Sequence, residues 1–345
     1  MSPPASDDAL TRYFAEGLAR SVPFDPDYQQ LWASLAEAGS GGKRFRPALV
    51  AAVYTSLGGT DSELCGCVGA AIELLHTAFV IHDDVIDGDD VRRGRLNVSG
   101  TFAARALAAG VAPDRGRVFG HTAGILAGDL ALVGATRLIA LCGAPATTTR
   151  RLLDLLDHAV YVTAAGELAD VRLSLGVGEV SLGDIVTVEE HKTAVYSFEL
   201  PLQAGAILAG ADDDVVLGLS ELGRLVGIAF QLLDDLQGTF GDEAVTGKSA
   251  LTDLREGKVT PLIAHARTTS VWPEVAASLG SRDLTEAEAD GVRALLVAAG
   301  SRQFVEELAD AYVDAALDVA TRLELPTAFL DWITAMTDEL TDRAA

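Results

Sequence analysis

The chain has 345 residues, of which 49% are hydrophobic, and its formal net charge is −24. The length allows one large domain or two smaller ones. The charge argues against nucleic acid or an anionic lipid surface as a general partner. It does not exclude an anionic substrate, because local basic groups and bound metal set the field inside a cleft. The three cysteines, Cys65, Cys67 and Cys142, cannot all pair and lie in apolar runs, so we expect free thiols in a reducing cytosol.

Helical spacing of apolar residues dominates the chain, and no sustained period-two alternation bounded by hairpin turns interrupts it. Ser6 is a suitable N-cap for a first helix that ends near Leu18. A second apolar helix is predicted from Arg46 to about Leu57, where two glycines end it. These patterns favour an all-α fold over any fold with a sheet.

The third predicted helix begins at Thr60 and Glu63, which have capping-box spacing. Residues 94–120 are rich in Gly, Ala and Arg and predict a loop with a short helix. A last helix follows Pro326. Further helices are predicted at 122–142, 148–175, 182–209, 213–238, 259–268, 284–299 and 301–322. Because no composition shift marks a linker, the sequence predicts a single domain of residues 1–345, built as one large helical bundle.

Nothing in the sequence predicts a membrane segment. Met1 to Asp8 is polar and acidic, without the basic start and apolar run of a signal peptide. The most membrane-like segment, Gly124 to Ala144, carries Asp129 and Arg137 and is too polar for a lipid span. We therefore expect a cytoplasmic protein without a membrane span.

Two clusters of aspartates each end an apolar stretch with helical spacing: Asp83, Asp84 and Asp87 form the first, Asp234 and Asp235 the second. Carboxylates at i, i+1 and i+4 project from one side of a helix. In apolar surroundings they repel one another unless a counter-charge is present. Divalent cations with oxygen ligands supply that charge, and magnesium also binds phosphate oxygens.

Basic residues follow each cluster, Arg92 and Arg93 after the first, Lys248 and Lys258 after the second. Carboxylates that bind magnesium, together with basic side chains that bind phosphate, indicate a site for a diphosphate. The alternative is a solvated acidic helix end, of which a chain with 50 acidic residues should have many. The residues that flank both clusters are apolar and typical of a core, which weakens this alternative.

On the third helix, His76, Asp83 and Asp87 fall within roughly 40° of one another at 100° per residue. One polar line therefore runs down a helix whose other face is apolar. A lone histidine on such a helix is more often a satisfied core residue. Its alignment with the carboxylates favours a role in binding.

These segments resemble the motifs of the trans-isoprenyl diphosphate synthases, and the resemblance extends over nearly the whole chain. Residues 41–47, Gly-Gly-Lys-Arg-Phe-Arg-Pro, resemble the first motif of that family. Residues 83–94 resemble its first aspartate-rich motif. The remaining matches are the mid-chain pair Lys192-Thr193, the second aspartate-rich motif with Gln231, Asp234 and Asp235, and the later lysines Lys248 and Lys258.

The resemblance implies a bundle around a central cavity, a homodimer, and a reaction that joins isopentenyl diphosphate to an allylic diphosphate. The residues it places on isopentenyl diphosphate are Lys43, Arg46, His76 and Arg93. The residues it places around the allylic diphosphate are Arg92, Lys192, Thr193, Gln231, Lys248 and Lys258. The magnesium ligands it implies, for three ions, are Asp83, Asp84, Asp87, Asp234 and Asp235.

Position 238 departs from the common pattern, because Gly238 stands where a third aspartate is usual. Metal binding there would depend on Asp234 and Asp235, with water or Asp242, and we expect activity to survive. The segment after the arginine pair also departs, with Leu96 where proline is usual. Its length up to Asp129 fits either a loop that shapes the mouth of the site or a surface insertion, and the insertion is favoured.

Glu167 is a third departure, since many members have glutamine there. Glu167 and Asp170 share a helical face. Two roles stay open for them, as partners of Lys192 or as groups that hold the water of a magnesium ion.

The length of the product depends on the side chains that precede Asp83 on the third helix, because the growing chain should run along this helix away from Asp83. Phe79 is four positions away, about 6 Å, and within roughly 40° of the Asp83 direction, whereas Ala78 is rotated by about 140°. Phe79 would form the floor of the cavity, and Ala78 would leave space beside it. The alternative is that Phe79 packs against a neighbouring helix and blocks nothing. We predict products of fifteen or twenty carbons, with twenty favoured.

Two other functions fit parts of the pattern. A class I terpene cyclase shares the bundle and the first aspartate motif. A cyclase needs no isopentenyl diphosphate site, however, so Lys43, Arg46 and Arg93 would have no function in it. A catalytically silent subunit of a heteromeric synthase is supported only by the missing aspartate at position 238.

Overall fold

A computed structural model describes residues 4–175, 180–241, 251–281 and 283–344. The predicted site residue Lys248, and Asp242, lie outside the described residues. The all-α prediction is confirmed. The helices of the first half are α1 (Pro4–Ser21), α2 (Pro26–Ala38), α3 (Phe45–Ser56), α4 (Ser62–Asp87), α5 (Val98–Ala108), α6 (Pro113–Ala140) and α7 (Ala146–Ser174).

The second half is also helical. Its elements are α8 (Leu182–Glu189), a π-helical segment (Glu190–Glu199), α9 (Leu200–Ala209), α10 (Asp213–Phe240), α11 (Thr252–Glu256), α12 (Pro261–Arg267), α13 (Trp272–Ser278), α14 (Glu286–Ala298), α15 (Ser301–Arg322) and α16 (Thr327–Ala344). Two short strands, β1 (Val91–Arg92) and β2 (Arg95–Leu96), form an antiparallel hairpin after α4.

The start of α4 corrects the sequence prediction. Asp61, not Thr60, is the N-cap, and its carboxylate accepts a hydrogen bond of 2.9 Å from the backbone N–H of Leu64. Aspartate is a strong N-cap because its charged oxygen satisfies a free N–H and lies at the positive end of the helix. The predicted pairing of Thr60 with Glu63 was therefore one residue out of register.

The predicted helix at 122–142 is also corrected, because α6 begins at Pro113. Gly116 and Gly120, which contributed to the loop prediction, lie four residues apart on α6, and the same spacing continues with Gly124 and Gly128, where side chains would not fit. A Cβ on Gly124 would lie 2.7 Å from Ser99 Oγ, and one on Gly128 would collide with the ring of His82. These glycines let α6 pack closely on α4 and α5, so here glycine marks close packing and not a loop.

The described residues form two compact units. The first unit is Met1–Leu156 with Gln203–Ala211, in which α4 packs against α1, α3 and α6. The second unit is Asp157–Leu202 with Asp212–Ala345, in which α10 packs against the π-helical segment, α15 and α16. The single domain of residues 1–345 stays a prediction.

Among the helices that the structure describes, three are long and apolar enough to cross a membrane by length and composition alone, namely α4, α6 and α10. The most apolar window lies in α4, with a mean hydropathy of 1.9, and not in the segment 124–144 that the sequence pointed to. Of that window, 72% is buried inside the protein. The absence of a membrane span stays a prediction.

The cysteines give a first testable prediction. All three are free, and burial raises the pKa of the Cys65 and Cys67 thiols to about 11 each. Because the thiolate is the reactive form, we expect iodoacetamide at pH 8 to modify both about 100-fold more slowly in the native protein than in the denatured chain. Peptide mass spectrometry over time measures this. Equal rates in the two states would contradict the burial of these thiols.

Candidate active site

The predicted polar line on α4 appears in its burial pattern. His76, Phe79 and Asp83 are partly exposed and Asp87 is exposed, whereas Ala78 is fully buried. Phe79 therefore contributes exposed surface one turn before Asp83, whereas Ala78 does not. Because Ala78 has none, the space predicted beside it stays a prediction.

Asp84 differs from the other two carboxylates of the first cluster because it is buried. Arg92 Nε donates to Asp84 Oδ1 at 2.6 Å, and Arg92 also lies 3.6 Å from Asp83 Oδ2. Burial raises the pKa of Asp84, and the Arg92 guanidinium acts in the opposite direction. Asp84 therefore holds Arg92 in place, and Asp83 and Asp87 are the carboxylates whose side chains keep exposed surface.

Unusual backbone conformations bring basic residues to this helix. Gly41, Gly42 and Arg44 have φ of 70°, 82° and 50°, and Arg93 has φ of 54° after the β1 strand. A Cβ on Gly42 would lie 3.9 Å from Arg93 Nη1. The turn before α3 and the hairpin after α4 therefore meet, although they are far apart in the sequence.

Arg44, which the sequence analysis passed over, anchors this turn. Its Nε donates to Asp7 Oδ1 at 2.7 Å, and its Nη1 donates to Glu73 Oε1 at 3.1 Å. Only 10% of the Arg44 side chain is exposed. With Arg44 fixed inward, Lys43 stands exposed beside it.

The basic residues converge on His76. Burial lowers the pKa of the His76 imidazole well below its ordinary value. Three positive charges lower it further, in the order Arg46, Arg93 and Arg92. His76 is therefore a neutral hydrogen-bonding group at neutral pH, and it lies among cations that an anionic ligand would neutralise.

The second aspartate cluster repeats the arrangement of the first. Asp235 is buried, and Lys258 Nζ donates to its Oδ1 at 2.9 Å. Gln231 Nε2 donates to the same oxygen at 3.2 Å. Asp234, by contrast, is partly exposed. Each cluster thus has a buried aspartate that fixes a basic side chain and a neighbour that faces outward.

Glu189, at the end of α8, is a site residue that the sequence analysis missed. Burial raises the pKa of Glu189 well above its ordinary value, and the neighbouring Asp235 adds to this rise. Glu189 Oε2 and Asp235 Oδ2 are both buried, and neither meets a hydrogen-bond donor among the described residues. A side-chain hydrogen bond with Asp235 contributes to the rise in the pKa, so Glu189 is the carboxyl of this pair that holds a proton. The apolar spacing around Glu189 gave no sign of this contact.

Lys192 lies in the π-helical segment and is held by two carboxylates of α7. Its Nζ is 2.7 Å from Asp170 Oδ2 and 3.0 Å from Glu167 Oε2. Two roles were left open for Glu167 and Asp170. The structure shows the contacts with Lys192 that the first of these roles requires. A Cβ on Gly166 would lie 2.7 Å from the carbonyl carbon of His191, so glycine allows this close approach.

The sequence predicted 182–209 as one helix, and the π-helical segment within it was not foreseen. Such segments are rare and are frequent at functional sites. Lys192 and its neighbour Thr193, which is partly exposed, both belong to it. The i→i+5 hydrogen bonding has no distinct apolar period in a stretch this short, so the sequence could not reveal it.

The described residues do not bring three His, Cys, Asp or Glu side chains together as a closed metal site. Magnesium does not need one, since it keeps waters and takes phosphate oxygens as ligands. Each unit, taken by itself, thus presents an outward carboxylate beside a fixed basic group, which are the kinds of group that bind a diphosphate. An all-helical frame with two such clusters defines an enzyme class that handles diphosphate substrates.

Comparison with known proteins gives the family. A model of the polyprenyl synthetase family matches residues 29–294. A geranylgeranyl diphosphate synthase of Sulfolobus acidocaldarius is 31% identical over 86% of this chain and 87% of its own. A geranylfarnesyl diphosphate synthase of Aeropyrum pernix is 31% identical over 87% of this chain and 92% of its own.

A solved structure supports the same family assignment. The crystal structure of geranylgeranyl pyrophosphate synthase from Corynebacterium glutamicum, complexed with isoprenyl diphosphate and magnesium, superimposes with a TM-score of 0.90 at 29% identity. The match covers 99% of this chain and 98% of that one. The chain belongs to the polyprenyl synthetase family. The enzyme class predicted from its motifs, a trans-isoprenyl diphosphate synthase, is confirmed.

Proposed function

We propose that the enzyme joins an allylic diphosphate to isopentenyl diphosphate and releases inorganic diphosphate. The carbon–oxygen bond of the allylic substrate breaks, and its electron pair leaves with the diphosphate. The double bond of isopentenyl diphosphate attacks the allylic cation and forms a carbon–carbon bond. A proton then leaves the new cation, and the released diphosphate accepts it. Because no protein nucleophile is needed, positioning and charge supply the catalysis.

The arrangement of cations around His76 carries this proposal. Arg46 and Arg93 come from separate segments, and the positive charge of each lowers the pKa of the His76 imidazole. Together with Lys43 they would bind isopentenyl diphosphate, with His76 as a hydrogen-bonding partner. A terpene cyclase consumes a single diphosphate and has no use for this second basic site.

The outward carboxylates fit magnesium. Asp83 and Asp87 in the first unit, and Asp234 in the second, present oxygen donors with exposed surface. Magnesium, when bound, would neutralise charge on the leaving diphosphate. The buried Asp84 and Asp235 would act by holding Arg92 and Lys258. The number of three ions rests on the family resemblance.

The lysines of the second unit would stabilise the departing diphosphate. Lys192 is positioned by Glu167 and Asp170, and Lys258 by Asp235. Positive groups that are already fixed stabilise growing negative charge without reorganisation during the reaction. Thr193 and Gln231 lie next to these charged groups and would add hydrogen bonds.

Geranylgeranyl diphosphate, with twenty carbons, is the product that we favour, and farnesyl diphosphate is next. The partly exposed Phe79 one turn above Asp83 supports a short product. The names of two relatives, a geranylgeranyl and a geranylfarnesyl diphosphate synthase, span a range near this length.

The test is to incubate the purified protein with magnesium, isopentenyl diphosphate and each allylic primer separately, and to identify products by mass spectrometry. A twenty-carbon diphosphate is the expected result. Hydrocarbon formed without isopentenyl diphosphate would establish a cyclase instead. Absence of turnover by the protein alone would favour a silent subunit.

We further propose a cytoplasmic homodimer. Val118, Ile125 and Val133 are large apolar side chains on α6 that are each about half exposed or more, at spacings of seven and eight residues. An exposed apolar row on one helix is suited to a two-fold interface, since the same residues meet on both copies.

A charge placed in this row should separate the copies. We expect Val133→Glu to convert dimers to monomers in sedimentation-velocity experiments, because a carboxylate would be buried without a partner. Val297→Glu, at an exposed valine of α14, is the matched control and should leave the mass unchanged. A dimer that persists in Val133→Glu would place the interface elsewhere.

A further inference from the structure

The π-helical segment that carries Lys192 ends next to a proline. Pro201 has no N–H to donate, and in a continuous α-helix its ring would collide with the carbonyl of Ser197, four residues earlier. The backbone N–H of Leu200 donates instead to the carbonyl of Val195, five residues back. The chain runs directly into α9, so the wider turn gives the proline the room that a continuous α-helix would deny it.

Two glycines of α10 let the π-helical segment pack directly on the backbone of that helix. A Cβ on Gly223 would lie 2.7 Å from Glu199 Cα, and one on Gly227 would lie 2.7 Å from Ala194 Cα. The two glycines are four residues apart and therefore lie on one side of α10. Backbone contacts this close leave the segment little room to slide or turn.

A side-chain hydrogen bond fixes the last residue of the segment. Ser220 Oγ, three residues before Gly223 on α10, donates to Glu199 Oε2 at 2.6 Å. Burial raises the pKa of Glu199, and the hydrogen bond from Ser220 acts against this rise. A carboxyl group that is partly removed from water is costly without a partner, and here α10 supplies the partner.

The first residue of the segment also meets α10. Glu190 Oε2 lies 3.8 Å from Arg224 Nη1. Both charges also act on the Glu199 carboxyl, whose pKa Glu190 raises and Arg224 lowers. The two ends of the π-helical segment are therefore both held near α10, the helix that also carries Gln231 and Asp234.

We propose that Glu199 and Ser220 are positioning residues for Lys192 and Thr193 and act through the backbone of the π-helical segment. The inference rests on the proposed function, in which Lys192 stabilises the departing diphosphate. If the segment relaxed to an α-helix, one end would turn by about 100° relative to the other for each residue of register lost. Lys192 would then leave the two carboxylates of α7 that hold it, and the hydrogen bond at Glu199 opposes this rotation.

The test asks whether the contribution of Glu199 depends on Lys192. Single-turnover rates of condensation are measured for the wild type, Glu199→Ala, Glu199→Gln and Ser220→Ala, and for Lys192→Met with and without Glu199→Ala. We expect Glu199→Ala and Ser220→Ala to lower the rate by about 10- to 100-fold, because small displacements of catalytic groups cost this much. Glu199→Gln should stay near the wild-type rate, since its amide oxygen still accepts from Ser220. Added to Lys192→Met, Glu199→Ala should lower the rate by less than about twofold, because the lysine it positions is gone.

Glu221→Ala is the matched control, because Glu221 is an exposed glutamate next to Ser220 that pairs with Arg322 at 3.2 Å. It should leave the rate unchanged. The KM for isopentenyl diphosphate should stay the same in the variants at Glu199 and Ser220, since the residues proposed to bind it belong to the first unit. Thermal unfolding shows whether Glu199→Ala folds, and Ser220→Ala removes the same hydrogen bond if it does not.

Two results would overturn the proposal while the function stands. One is a wild-type rate in both Glu199→Ala and Ser220→Ala. The other is an equal fold loss from Glu199→Ala in the wild type and in Lys192→Met, since Glu199 would then support the fold and not the position of Lys192. If the wild type makes no product with any allylic primer, the proposed function itself fails, and the inference fails with it.

Discussion

Lys192→Met should lower the rate of condensation by about 100- to 1000-fold. The side chain carries a positive charge that Glu167 and Asp170 fix at 3.0 and 2.7 Å, and its loss removes one group that stabilises the departing diphosphate. Its removal also leaves two carboxylates facing each other. Since these side chains are 20% and 31% exposed, we expect a loss of only about 1–2 kcal/mol in the free energy of unfolding.

A further variant distinguishes the two effects. Adding Glu167→Gln and Asp170→Asn to Lys192→Met removes the repulsion and should restore the unfolding temperature. The rate should stay low, because the positive charge is still missing. Single-turnover kinetics and thermal unfolding measure the two quantities. A rate that recovers together with stability would show that Lys192 supports the fold and does not act on the substrate.

Phe79→Ala should extend the product beyond twenty carbons. Phe79 lies about 6 Å from Asp83 along α4 and on nearly the same side of the helix, and its side chain is partly exposed whereas that of Ala78 is buried. Removing the ring would open space along the line on which the chain is expected to grow. Mass analysis of products made with a farnesyl primer measures the change.

Phe119→Ala is the matched control, because Phe119 is a partly exposed phenylalanine on α6. Its removal should leave the product length unchanged. If Phe79→Ala makes the same product as the wild type, the floor of the cavity lies elsewhere and Phe79 packs against a neighbouring helix, as the alternative reading has it.

Much of the fold could be predicted because helix signals are local. Apolar periodicity predicted both ends of α7, α10 and α15 to within two residues. The last helix, α16, was correctly predicted to follow Pro326. The short helices α2, α11 and α13 were missed, since one to three turns carry too few apolar positions for a clear period. The start of α6 was wrong because glycine on a packed helix has the same appearance in sequence as glycine in a loop.

The site could be predicted where its polar side chains recur at helical spacing on a single helix. The line of His76, Asp83 and Asp87 on α4 follows from helical geometry, and the burial pattern agrees with it. The partners of the charged groups could not be predicted, because they come from distant segments. Nothing in the local sequence joins Arg44 to Asp7 or Glu199 to Ser220.

The glycines of α6 limit how this enzyme can be made more robust. Replacing a helical glycine with alanine is a common engineering step that gains about 1 kcal/mol from helix propensity. On α6 that gain would be outweighed, since a methyl group at Gly128 would enter the ring of His82 and one at Gly124 would meet Ser99. Heat-tolerant variants will therefore have to be sought among exposed positions of other helices, and comparative surveys of this helix should find glycine where propensity alone would choose alanine.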